Sequence, residues 1–126
     1  MILDASALLA VLRSEPGGEL VAKALPDARM SVVNYAELVS HYSRLGADAD
    51  AIRTTLKPLP IALVPVDAAV AASAGLLAAL VAKAGLSLGD RFCLALAKLE
   101  EAPVWTADRA WTRIAKEAGV DVHLIR

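Results

Sequence analysis

Short apolar runs alternate with segments of helical periodicity along the whole chain, and this alternation restricts the fold more than any other feature. Met1 to Leu3, Met30 to Val33, Ile61 to Val66, Pro103 to Thr106 and Asp121 to Ile125 read as strands. Between them, Leu8, Leu9 and Leu12 recur at helical spacing, and helices are predicted near Glu19 to Leu25, Ala36 to Leu45 and Asp48 to Leu56. Three more are predicted: an alanine-rich helix capped by Asp67 and running to about Ala84, one from about Asp90 to Glu101, and one from Arg109 to Ala118. Gly46 and Gly119 supply stops, and Pro16, Pro26, Pro58 and Pro60 punctuate the turns. Strands separated by helices cannot be joined by tight hairpins. They pair in parallel, and a parallel sheet needs cover on both faces, so the predicted class is α/β. Ligands of such sheets bind beyond the carboxyl ends of the strands, where strand order reverses.

Composition removes several alternatives. A length of 126 residues suits one domain, residues 1–126. Hydrophobic residues make up 57% and mean hydropathy is +0.53, which excludes a disordered chain. The single cysteine, Cys93, rules out an internal disulfide and a multi-cysteine zinc site. The apolar run Ala68 to Ala82 is shorter than the roughly 20 residues of a bilayer span, and Asp67 and Lys83 flank it. It is expected to be a buried helix with no role in a membrane. No basic, apolar leader opens at Met1, so a soluble, cytoplasmic protein is expected. The apolar excess predicts a homodimer, with the alanine-rich helix and the segment around Trp111 as its faces. With 13 Lys and Arg against 14 Asp and Glu, no global basic field marks a nucleic-acid binder. A metal ion's own charge, however, changes the sign of an acidic site.

Four acids fall at the same predicted edge of the sheet. Asp4 ends the first strand and Asp108 lies just past the fourth, while Glu37 follows the second strand and Asp90 opens a helix. Each has a local explanation as a helix cap, and Asn34 with Glu37 and Ser87 with Asp90 both fit the capping-box spacing. Capping alone does not require all four to share an edge. Clustered carboxylates raise one another's proton affinity unless a cation compensates, and Mg2+ is suited to this through its preference for oxygen ligands and retained water. Such a site activates water for phosphodiester hydrolysis.

Four motifs in this order resemble the PIN domains, in particular the VapC-type ribonuclease toxins of toxin–antitoxin pairs. They are Ile2-Leu3-Asp4-Ala5-Ser6-Ala7-Leu8, Ala36-Glu37-Leu38, Leu86-Ser87-Leu88-Gly89-Asp90-Arg91 followed by Leu94-Ala95-Leu96-Ala97, and Thr106-Ala107-Asp108. The resemblance covers essentially the whole chain. It implies a three-layer α/β/α fold whose parallel five-stranded sheet has the order 3-2-1-4-5. It also implies a catalytic quartet of Asp4, Glu37, Asp90 and Asp108, with Asp4, Asp90 and Asp108 on Mg2+ or Mn2+, supported by Ser6, Thr106 and Asn34. The implied substrate is RNA, and the implied partner is a cognate antitoxin, expected to place an Arg or Lys near the acidic pocket.

Arg91, Arg109 and Arg113 gather near the C-terminal acids and are candidates for RNA-backbone contact, against the alternative of a solvated helix face. His41 and His123 are too isolated to form a ligand pair, although His41 lies one turn beyond Glu37. Cys93 reads as core, and Trp111 as core or dimer contact before base stacking. Two other functions stand beside the nuclease reading. One is a non-catalytic PIN scaffold that binds a partner, which would be expected to lack some of the acids. The other is a phosphotransfer domain with aspartate at the first strand end, which would want a second acid where Ala5 and Ser6 stand.

Overall fold

A computed structural model describes residues 1–81 and 84–126. Five short parallel strands, β1 (Ile2–Leu3), β2 (Arg29–Ser31), β3 (Ala62–Val64), β4 (Val104–Thr106) and β5 (Val122–Leu124), form one sheet of order β3-β2-β1-β4-β5. This is the expected 3-2-1-4-5 order. It also argues against a receiver-type phosphotransfer domain, whose sheet runs 2-1-3-4-5. The order reverses at β1, so the crevice between the chains leaving β1 and β4 is the topological switch point.

Successive strand residues point to opposite faces, and the core divides accordingly. Ile2 and Val104 pack with Cys93, Leu94, Trp111 and Ile114 on one face. Leu3 packs with Leu8, Met30, Leu38, Ile52 and Ile125 on the other, which Trp105 also joins. The helices over the second face are α1 (Ala5–Leu12), α2 (Gly18–Ala24), α3 (Val32–Arg44) and α4 (Ala49–Leu56). Over the first lie α5 (Ala68–Leu76), α6 (Ala78–Val81), α7 (Leu88–Glu100), a 3-10 turn (Arg109–Arg113) and α8 (Ala115–Ala118).

Several boundaries differ from expectation. Val32 and Val33 read as strand by β-branching, but Ser31 accepts a hydrogen bond from Val33 N (3.2 Å) and starts α3 there. Asn34 is therefore inside the helix and caps nothing. The alanine-rich stretch is two helices, α5 and α6, and it is not a buried one. Val70, Ala74 and Leu77 turn inward while Leu76 is 83% exposed. The predicted continuation through residues 82 and 83 lies outside the described residues. The segment from Arg109 opens as a 3-10 turn, and α8 ends at Gly119, whose φ of 70° supplies the left-handed stop. Among the described residues, no helix is long and apolar enough to cross a membrane.

Candidate active site

Asp4 follows β1 directly and is the N-cap of α1, accepting from Ser6 N at 3.3 Å. Its side chain is almost fully buried, at 4% exposure. The same oxygen, Oδ2, also accepts from Ser6 Oγ and from Thr106 Oγ1, the latter at 2.9 Å. Leu3 pairs with Trp105 across the sheet, so the next residue of each strand falls side by side, which brings Thr106 to Asp4. Ser6 Oγ in turn accepts from Ala107 N (3.0 Å), and Thr106 Oγ1 accepts from Asp108 N (3.1 Å). Two hydroxyls thus lace together the ends of β1 and β4.

The other acids are held more simply. Asp108 caps the 3-10 turn, its Oδ1 accepting from Ala110 N at 2.9 Å. Asp90 completes a capping box at the start of α7: Ser87 N donates to its Oδ2 (2.8 Å) while Asp90 N donates to Ser87 Oγ (3.2 Å). Glu37, in the second turn of α3, accepts from Asn34 Nδ2 through Oε2 at 3.0 Å, and the same amide donates to Gly89 O at 3.1 Å. The capping and clustering explanations are therefore compatible. Each carboxylate is anchored by one oxygen, and among the described residues its other oxygen accepts no hydrogen bond.

All four acids border one cavity of about 420 Å³, which Ser6, Ser40, His41 and Arg44 also line. The cavity opens where the strand order reverses. Burial raises the proton affinity of Asp4 above the ordinary carboxylate range; hydrogen bonds from Ser6 and Thr106 oppose this, and the charge of Asp90 adds to it. Glu37 is raised by burial first, against the Asn34 hydrogen bond, and further by Asp4 and Asp90. Asp90 is raised by burial, against its Ser87 hydrogen bonds, and further by Asp108.

This donor set fits a hard divalent cation. The groups are all carboxylate oxygens, they repel one another, and each has an uncommitted oxygen. Among the described residues, no group of three Asp, Glu, His or Cys side chains is drawn together as a ready-made ligand cage. Mg2+ does not need one, because it takes one or two carboxylates directly and completes its octahedron with water.

Arg91 is half-buried on α7, Arg109 and Arg113 are exposed on the 3-10 turn, and none of the three borders the cavity. Among the described residues, the Arg or Lys that does is Arg44, which sequence reasoning did not single out. Its signal was present: Glu37, Ser40, His41 and Arg44 are spaced by three, four and seven residues along α3, one stripe of a helix. His41 belongs to the same wall, with its ring edge-on to Tyr42. His123 stacks on Trp105 at 4.7 Å and is not part of the cavity. Trp111 is fully buried, which leaves it neither base stacking nor a dimer face. Cys93 is also fully buried. Burial, and then the charges of Asp4, Asp90 and Glu37, push its thiol well up, so it is an inert core residue.

Residues 1–117 match the PIN domain family, and the chain belongs to that family. Among characterised proteins it is similar to a "Ribonuclease VapC" of Mycolicibacterium smegmatis, with 37% identity over 113 residues, covering 82% of this chain and 88% of that one. Among solved structures, VapBC-5 of Mycobacterium tuberculosis, described as a member of the VapBC family of toxin-antitoxin systems, aligns with a TM-score of 0.64 at 26% identity over 98% of this chain and 96% of its own. DNA-bound VapBC from Salmonella typhimurium shares the fold, with a TM-score of 0.73 at 16% identity over 99% and 97% of the two chains.

Proposed function

We propose that this chain is a metal-dependent endoribonuclease, the toxin component of a toxin–antitoxin pair. The observation that carries the reading is the set of four carboxylates around one cavity, each anchored through one oxygen with the other uncommitted. The similarity to a ribonuclease and to toxin–antitoxin complexes supports the substrate class and the partner.

Asp4, Asp90 and Asp108 would hold Mg2+ or Mn2+. The bound ion supplies a nucleophilic water near neutral pH and offsets charge developing on the phosphoryl oxygens. Ser6 and Thr106 fix the carboxylate of Asp4 and favour its ionised form. Glu37, with its raised proton affinity, is the group suited to take a proton from the attacking water. Arg44 brings a charged planar fork to the cavity wall, where it can bond a phosphate of the RNA backbone. Arg91, Arg109 and Arg113 extend that contact outside the cavity. The antitoxin occupies the same acids with an Arg or Lys of its own. The exposed side of α5 and α6 is the proposed homodimer face.

Purified protein should cleave RNA with Mg2+ or Mn2+, stop on chelation, and lose activity as Asp90→Asn. Equal cleavage by wild type and Asp90→Asn, in preparations free of other nucleases, overturns the nuclease assignment. Expression of the chain alone should arrest growth, and a small protein encoded beside it should relieve the arrest. Harmless expression of an active nuclease would remove the toxin role and leave the enzyme.

A further inference from the structure

Gly89 has no conformational reason to be glycine. It is the second residue of α7, and its φ lies outside the left-handed region in which the positive-φ glycines of this chain sit. Glycine is among the poorest helix formers, so alanine would serve the helix better. The reason is spatial and comes from another element. A Cβ built on Gly89 would collide with the carboxylate of Glu37, lying 2.5 Å from Cδ, 2.9 Å from Oε2 and closer still to Oε1. Apart from the adjoining residues and the backbone of its own helix, these are the nearest atoms among the described residues.

Asn34 closes the arrangement. Its side chain is fully buried, and its single amide nitrogen donates both to Glu37 Oε2 (3.0 Å) and to Gly89 O (3.1 Å). Both partners are acceptors, which fixes the orientation of the amide. One side chain of α3 therefore ties Glu37 to the first turn of α7, 55 residues away in sequence from Asn34 itself. The next residue of that turn is Asp90. The carboxylate of Glu37 rests on the bare backbone of Gly89, at the positive end of the helix that carries its acidic neighbour.

We propose that Gly89 and Asn34 are positioning residues: the missing side chain at 89 is the seat of the Glu37 carboxylate, and the Asn34 amide holds it there, fixing Glu37 beside Asp90. The clash on substitution falls on the far end of a flexible side chain, so Gly89→Ala should fold normally while evicting Glu37 from its seat. This rests on the metal-dependent nuclease reading for its consequence and on geometry alone for its mechanism, and the two can be tested apart.

The experiment uses the full chain as wild type, Gly89→Ala, Glu37→Ala and the double variant. Three quantities are measured: the side-chain amide NMR signals of Asn34 without metal, the affinity for Mn2+ by water-proton relaxation, and the thermal midpoint. In Gly89→Ala the Asn34 signals should move as they do in Glu37→Ala, with the midpoint at or above that of wild type. Glu37 shares the cavity with the three aspartates and from its seat supports the ion through bound water, so Mn2+ affinity should fall by about ten- to a hundredfold, the usual effect of losing a supporting partner of a metal site. The double variant should bind no more weakly than Glu37→Ala alone, because the alanine methyl has nothing left to displace. Asn34→Ala adds no atom and should weaken Mn2+ binding to a similar degree, which keeps the test open if Gly89→Ala does not fold. Unmoved Asn34 signals with wild-type Mn2+ affinity in Gly89→Ala overturn the proposal, as does a further loss in the double variant. If wild type binds no Mn2+ and the Asn34 signals still move, the seat stands and the metal reading falls.

Discussion

Asp4 and Asp108 leave neighbouring strands and line the same cavity, yet they are held in opposite ways. Asp4 is buried, with three donors on one oxygen from Ser6 and Thr106. Asp108 is exposed and accepts one backbone hydrogen bond from Ala110. The difference follows from register. Asp4 directly follows β1 and meets Thr106 across the sheet, whereas Asp108 lies two residues past β4, after the chain has turned toward solvent. A carboxylate fixed in this way is a rigid anchor for a cation, and one on a solvent-facing turn can adapt to the ion's water and to substrate.

If that contrast governs function, the two aspartates should not be equivalent. Asp4→Asn should reduce RNA cleavage by about 10³-fold or more, as expected for a preorganised electrostatic group, with the fold intact by circular dichroism. Asp108→Asn should cost less, about ten- to a hundredfold, because the ion's own water can take the place of a ligand on a solvent-facing turn. Equal losses in a single-turnover assay would break the comparison. Thr106→Val sharpens it from the other side. It removes a donor to Asp4 and strands Asp108 N, and so should destabilise the protein by about 1–3 kcal/mol in urea unfolding. Metal binding should weaken even though all four acids remain. Arg44→Ala should act more mildly, raising KM about tenfold with kcat nearly unchanged, because it touches substrate and not the anchored acids. Loss of kcat with unchanged KM would take Arg44 out of substrate binding.

The difference between the two aspartates also marks what could be read in advance. Strand runs, glycine stops and the aspartates at element ends give the sheet, its parallel sense and the acid edge, because these signals are local and the pairing rules are strict. Ser87 with Asp90 was readable as a capping box for the same reason. Asn34 is named as a supporting residue through the resemblance, but the tie it makes was not readable, because its three-residue spacing to Glu37 mimics a cap while Ser31 holds that place, and its second partner, Gly89, arrives from a distant part of the chain. Arg44 was not hidden by that boundary: the helix expected from Ala36 to Leu45 already carries Glu37, Ser40, His41 and Arg44 on one stripe, and only the packing of α3 against the acid edge shows that this stripe faces the cavity. The alanine-rich run reads as buried on hydropathy, but small side chains lose little by exposure, and α5 leaves most of them on the surface.

The smallest effect concerns pH, and it tests whether the buried anchor carries a latent charge penalty. In the metal-free protein Asp4, Glu37 and Asp90 all have raised proton affinity. The native state therefore keeps protons that the unfolded chain has already released, and stability falls as pH rises above the ordinary carboxylate range near 4. The thermal midpoint without metal should accordingly decline between about pH 4 and the point where the last native carboxylate ionises. Thr106→Val should steepen that decline, since it removes a hydrogen bond that favours ionised Asp4, and Asp4→Asn should flatten it. Adding Mg2+ or Mn2+ should reverse the trend, because the ion binds only the ionised groups. At about 100 times its dissociation constant the ion should stabilise by about 2.7 kcal/mol, or roughly 10 °C for a chain of this size, with less gain at pH 5 than at pH 7. A metal-free midpoint that climbs steadily from pH 4 to pH 7, with Asp4→Asn leaving the slope unchanged, would show that Asp4 bears no such penalty and would erase the distinction between the two aspartates.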